Sequence, residues 1–150
     1  MHRPASVLAL LLAACSPEPP GPSREPAPAP MGQRVDSLGF VDVAGVERLR
    51  LVCGPGDRLG IAVPGFRPIA SEDRLTLGAG DEAFAHVADL SAPGPGVSGG
   101  GPVDRDLVDR LARGQPLRAV YGAQTVGPLT AARPEALSAF TERCRGLAGD

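Results

Sequence analysis

A glycine-rich stretch contains the residues with the strongest resemblance to a catalytic motif. Residues 96–100 read Gly-Val-Ser-Gly-Gly and match G-x-S-x-G, the strained turn that presents a nucleophilic serine in α/β-hydrolases. In that arrangement a histidine later in the chain accepts the serine proton, but His2 and His86 both precede Ser98. We therefore expect that Ser98 is not a nucleophile and that the protein is not an enzyme; a small hydrolase is the third-ranked alternative.

The same stretch matches a dinucleotide-binding fingerprint. Residues 94–99 fit G-x-G-x-x-G, yet prolines replace amide donors that would face a phosphate, and the preceding strands are predicted as hairpins rather than as a βαβ unit. We predict no cofactor. Because Gly and Pro dominate residues 91–102, we expect a mobile, exposed loop there.

One histidine and three aspartates are the remaining candidates for proton transfer or metal binding. His86 shares the face of a predicted strand with Phe84, a pattern typical of a partly exposed strand histidine. Asp104, Asp106 and Asp109 lack the glycine-turned loop of a calcium site and complement the dipole of the helix that they open. We predict no metal site.

Arginine provides the candidate binding face. All 15 basic residues are Arg, and Arg48 and Arg50 share the outward face of a predicted strand, where they are candidates to bind a carboxylate or a phosphate. A solvated strand face is the alternative. The formal net charge of -2 and the aromatic content of 3% argue against a nucleic-acid partner, which would require excess cations and stacking rings.

The N-terminus has the layout of an export signal. Arg3 precedes an apolar run, and residues 12–15 read Leu-Ala-Ala-Cys. These residues resemble the lipobox of bacterial lipoproteins. The resemblance implies a signal peptide over residues 1–14, cleavage before Cys15, and acyl chains on Cys15 that hold the protein on a membrane. A plain secreted protein and a cytosolic protein with a chance apolar start are the alternatives.

A proline-rich segment follows the cysteine. Seven of the fifteen residues in 16–30 are Pro, which favours a polyproline II spacer of about 45 Å. We expect a disordered, lipid-anchored linker over residues 15–34 and one small globular domain over residues 35–150. By analogy with lipoproteins, Ser16 after the cysteine favours the outer membrane, facing the periplasm, if the host is Gram-negative.

The domain shows mainly the patterning of β-structure. Period-two alternation predicts strands, and apolar residues at helical spacing predict two short helices, at 103–113 and 134–145. Strands are expected at residues 37–43, 47–53, 59–63, 74–77, 83–90, 117–121 and 124–129. We predict an α+β domain with a mainly antiparallel β-sheet, or a small β-sandwich, and two short helices.

The order of elements in the second half resembles the invasion-associated locus B family of envelope proteins. Over residues 97–129, a glycine-rich segment, a short helix that ends at Gly114 and a strand at 117–121 follow a strand pair, as in that family. The resemblance implies a β-sandwich-like core.

Two cysteines remain once Cys15 carries a lipid. Cys53 and Cys144 lie on the predicted inward faces of their elements, and thiols so placed in an oxidising envelope usually pair. Two separate buried thiols are the alternative, and a metal site lacks a nearby histidine. We predict a Cys53–Cys144 disulfide.

These features together predict a lipid-anchored cell-envelope protein with a binding or structural role. Its partners would be the membrane, through the lipid on Cys15, and an unidentified envelope protein or wall component. The alternative is an envelope inhibitor of a wall hydrolase or protease that presents residues 91–102 as a protruding loop.

Overall fold

Alternating apolar side chains build the β-structure of the domain. The computed structural model describes residues 36–148. In the second strand, Leu49, Leu51 and Cys53 are buried, whereas Arg48 and Arg50 between them are exposed. The eight strands are β1 (Ser37–Val41), β2 (Glu47–Gly54), β3 (Arg58–Val63), β4 (Arg74–Ala79), β5 (Glu82–Asp89), β6 (Val97–Pro102), β7 (Leu117–Tyr121) and β8 (Gln124–Ala131).

The strands form one antiparallel sheet that closes on itself. Their order is β1-β2-β3-β6-β5-β4-β7-β8, and β1 also pairs with β8, so that Phe40 faces Leu49 on one side and Ala131 on the other. The prediction of mainly antiparallel β-structure with two short helices is confirmed. The sheet is a closed barrel rather than the two stacked layers of a sandwich, because the pairing of β1 with β8 joins its two edges.

Aliphatic side chains fill the interior, and one buried tyrosine forms hydrogen bonds with the connection between β3 and β4. Tyr121 is fully buried and packs beside Phe66, with ring centroids 6.4 Å apart. Its hydroxyl accepts a hydrogen bond from the amide of Ile69 at 3.1 Å and lies 2.8 Å from the carbonyl oxygen of Glu72. A buried hydroxyl with these partners fixes the connection between β3 and β4.

Two helices pack against each other and against the barrel. Asp104 caps helix α1 (Arg105–Ala112), and its carboxylate accepts hydrogen bonds from two amides of the first turn. Helix α2 (Pro134–Arg145) begins with a proline. Neither helix in the described part of the chain has the length and apolar character needed to cross a membrane.

A disulfide joins β2 to α2. Cys53 and Cys144 are bonded, their Cα atoms lie 5.4 Å apart, and both residues belong to the hydrophobic core. The predicted disulfide is confirmed. The predicted signal peptide (1–14), the lipidation site at Cys15 and the linker (15–34) lie outside the described residues.

The expectation of an exposed loop over residues 91–102 is wrong for its second half. Residues Val97–Pro102 form β6, which pairs with β3 on one side and with β5 on the other. Glycine suits this position because the strands approach closely: a Cβ atom on Gly99 would lie 2.6 Å from the carbonyl oxygen of Val87. Only the residues before β6 form a connection.

Candidate functional site

The structure does not bring Ser98 and His86 together. Ser98 pairs with Asp89 across β6 and β5, and Asp89 is exposed, so Ser98 faces outward. His86, three residues before Asp89, points into the barrel because successive side chains on a strand alternate between its faces. Ser98 also lies within a hydrogen-bonded ladder rather than on a strand-to-helix turn, so the described residues form no nucleophile elbow.

The glycines of the dinucleotide-like fingerprint are likewise dispersed. Gly94 and Gly96 precede β6, Gly99 lies inside it, and α1 begins only at Arg105. A phosphate cradle requires the glycines to lead directly into the helix N-terminus. Residues 94–99 therefore form part of a connection and a barrel strand instead.

His86 is buried rather than partly exposed, which corrects the prediction. Its relative exposure is 7%, and its Nε2 atom has no hydrogen-bond partner among residues 36–148. Burial lowers the pKa of His86, while the Asp104 carboxylate partly opposes this shift. His86, Asp104 and Asp106 are among the residues that line a cavity of about 520 Å³.

The three aspartates near α1 have structural partners. Asp104 caps the helix, Asp106 accepts a hydrogen bond from Arg110 at 2.9 Å, and Asp109 accepts one from Arg145 at 2.7 Å. Over residues 36–148, no three or more His, Cys, Asp or Glu side chains are grouped in a way that could hold a metal ion.

The two candidate binding arginines already contact carboxylates. Arg48 Nε lies 2.7 Å from Asp42 Oδ2, and Arg50 donates to both carboxylate oxygens of Glu47, at 2.9 and 3.0 Å. The hydrogen bond from Arg48 is the main cause of the lowered pKa of Asp42. An anionic ligand would have to compete with these acids, so the pair does not form a free cationic face.

A groove on the outside of the barrel is a stronger candidate. Four residues lie in register across β2, β3, β6 and β5: Val52, Gly60, Gly100 and Val87. The two glycines form the floor, and the valines form the walls with relative exposures of 38% and 69%. The groove has a volume of about 600 Å³.

Opposite charges occupy opposite corners of this outer groove. Arg58 lies on β3 at the level of Pro102, whereas Asp89 lies on β5 at the level of Ser98. Arg58 forms no ion pair with any residue in 36–148. Asp89 accepts two hydrogen bonds through Oδ1, from the amide of Ser91 at 3.0 Å and from its hydroxyl at 2.7 Å. These bonds lower the pKa of Asp89 and keep it charged.

The sequence contains only a weak signal for the outer groove. Val52 and Val87 lie at outward-facing positions of their predicted strands, where side chains are usually polar. Gly60 is an outward glycine in a third strand. The fourth strand, β6, gives no alternating pattern because it consists largely of glycine, so the row is apparent only in the structure.

The chain matches no protein-family model, no curated protein and no solved structure. Among the described residues, the outer groove and the disulfide are the features on which a functional proposal can rest.

Proposed function

We propose that the protein is exported, anchored to the cell envelope by acyl chains on Cys15, and binds an envelope partner through its barrel domain. The Cys53–Cys144 disulfide carries this proposal, because structural disulfides form in oxidising compartments and are rare in the cytosol. The Leu-Ala-Ala-Cys sequence at residues 12–15 supports the lipid anchor, and the proline-rich linker supports display away from the membrane.

Binding, rather than catalysis, is the role that the described residues support. Ser98 and His86 face opposite sides of the sheet, and the outer groove offers exposed valines with one charge at each end. In a Gram-negative host we propose the outer membrane, facing the periplasm, as the location. An inhibitor role has less support, since residues 97–102 are part of the barrel wall and do not protrude.

The anchor is tested by the mass and the partitioning of the mature protein. Full-length protein expressed in a Gram-negative bacterium should lose residues 1–14, gain the mass of acyl chains on Cys15 and enter the detergent phase. The Cys15→Ser variant should remain in the aqueous phase and retain the Cys53–Cys144 bond, which separates anchoring from folding. A mature wild-type protein without acyl mass would overturn the proposal.

A further inference from the structure

Gly60 occupies a strand position where the structure itself does not require glycine. A Cβ atom there would lie 3.7 Å from Val52, an ordinary contact distance, and Gly60 is not among the glycines with positive φ. Glycine inside a strand costs about 0.5–1 kcal/mol relative to alanine. Gly100 differs, because a Cβ on it would collide with the carbonyl oxygen of Leu59.

A glycine inside a strand marks a bulge, a bend, or a place where a ligand or another backbone comes close. The pairing of β3 shows no register shift at Gly60. Gly60 lies in the outer groove, whereas Gly78 does not. At Gly60 the sheet surface carries no side chain, and the neighbouring position on β6 is also glycine. Val52 and Val87 are three strand spacings apart, about 14 Å, which leaves room for one extended chain along β3 and β6. The exposed valines would contact an apolar side chain of that chain that points toward the glycine floor.

The charges define the ends of such a chain. Arg58 and Asp89 are two strands apart and four residues apart along the strand direction, about 16 Å in all. Five extended residues cover about 13 Å between their first and last Cα atoms, and side chains bridge the remainder. An acidic side chain would meet Arg58, and a basic one would meet Asp89.

We infer that the outer groove binds an extended peptide segment of a partner protein, with an acidic and a basic residue four positions apart and an apolar residue midway between them, so that all three side chains point into the groove. This inference rests on the proposed binding role of the domain and specifies the chemistry of the partner. A free phosphate would use Arg58 but be repelled by Asp89, and an uncharged acyl chain would use neither.

Binding is measured by fluorescence anisotropy with dye-labelled peptides. The protein is the full chain with Cys15→Ser, so that acylation does not affect the anisotropy measurement. The peptide Gly-Glu-Ser-Val-Ser-Lys-Gly, whose Glu, Val and Lys side chains share one face of an extended chain, should bind saturably. Peptides with Glu or Lys at both charged positions should bind about fivefold more weakly or worse. Equal binding of all three peptides, or no saturable binding, would overturn the inference. Displacement by inorganic phosphate as readily as by unlabelled peptide would also overturn it.

A matched pair of glycine variants tests the position of the site. Gly60→Val fills the floor and should weaken binding at least tenfold. Gly78→Val is the control, because a Cβ on Gly78 would likewise have its nearest neighbour at 3.8 Å, on a strand outside the groove. Both variants should retain the circular dichroism of the parent. Equal affinity in the two variants would overturn the placement.

A charge reversal supplies a readout that misfolding cannot imitate. Asp89→Arg should weaken binding of the Glu/Lys peptide and strengthen binding of the Glu/Glu peptide, which reverses the order of affinities. An unchanged order would overturn the role of Asp89. Acylation of Cys15 is measured separately on the wild type, so failure of peptide binding is distinguishable from failure of the proposed anchor.

Discussion

Protonation of the buried His86 is expected to destabilise the domain. Its pKa lies below the usual 6.5 because burial penalises the charged ring, although Asp104 partly offsets this. The unfolded chain therefore binds a proton more readily than the folded one. The contribution of neutral His86 to the free energy of unfolding is fully present above pH 6.5, and it is lost progressively as the pH falls below that value.

This prediction is checked by urea unfolding from about pH 8 to about pH 5, where most carboxylates remain ionised. The His86→Leu variant lacks the titrating group and serves as the reference. The wild type should lose more free energy of unfolding than the variant over this range. Equal losses would show that the charge on His86 does not affect folding.

The surface arginines show which properties of a single residue its sequence position predicts and which it does not. Alternation in β2 correctly places Arg48 and Arg50 on the outer face. The alternation does not predict the carboxylate that pairs with Arg48. Asp42 precedes Arg48 by six residues, and only the turn between β1 and β2 brings the two side chains together. Arg58 belongs to the same series of arginines along the sequence, but its lack of an ion pair with residues 36–148 and its place beside the outer groove follow only from the structure.

At the scale of elements, seven of the eight strands and both helices are predicted because their apolar residues recur at regular spacing. Strand β6 is missed because glycine gives no such pattern. The barrel order is missed as well, since alternation defines which face is buried but not which strands are neighbours. The outer groove depends on both of these, so the sequence alone does not predict it.

The glycines of neighbouring strands are expected to respond oppositely to the same substitution. Gly99→Ala places a methyl group 2.6 Å from the carbonyl oxygen of Val87 and 3.2 Å from Leu75 Cδ2, and should cost about 1–3 kcal/mol. Gly60→Ala meets nothing closer than 3.7 Å and should stabilise by about 0.5–1 kcal/mol. Denaturant midpoints of the two variants measure the difference. A destabilising Gly60→Ala would contradict the open floor of the outer groove.

At the scale of the whole molecule, the disulfide links parts of the chain that are 91 residues apart. Replacing both cysteines by alanine should lower the free energy of unfolding by about 2–5 kcal/mol, because the unfolded chain regains the freedom that the loop removes. Thermal unfolding with and without reductant measures this effect. Reductant should leave the double variant unchanged, and an equal response of variant and wild type would contradict the assignment.

Closure of the barrel has a consequence for how the chain reaches its native state. The first strand, β1, needs both β2 and the last strand, β8, to satisfy its backbone. Until β8 has been made, β1 presents a free edge on which another copy of the chain can pair. The chain is therefore most prone to aggregate before the β7–β8 hairpin has formed. This tendency ends when β8 pairs with β1 and closes the barrel.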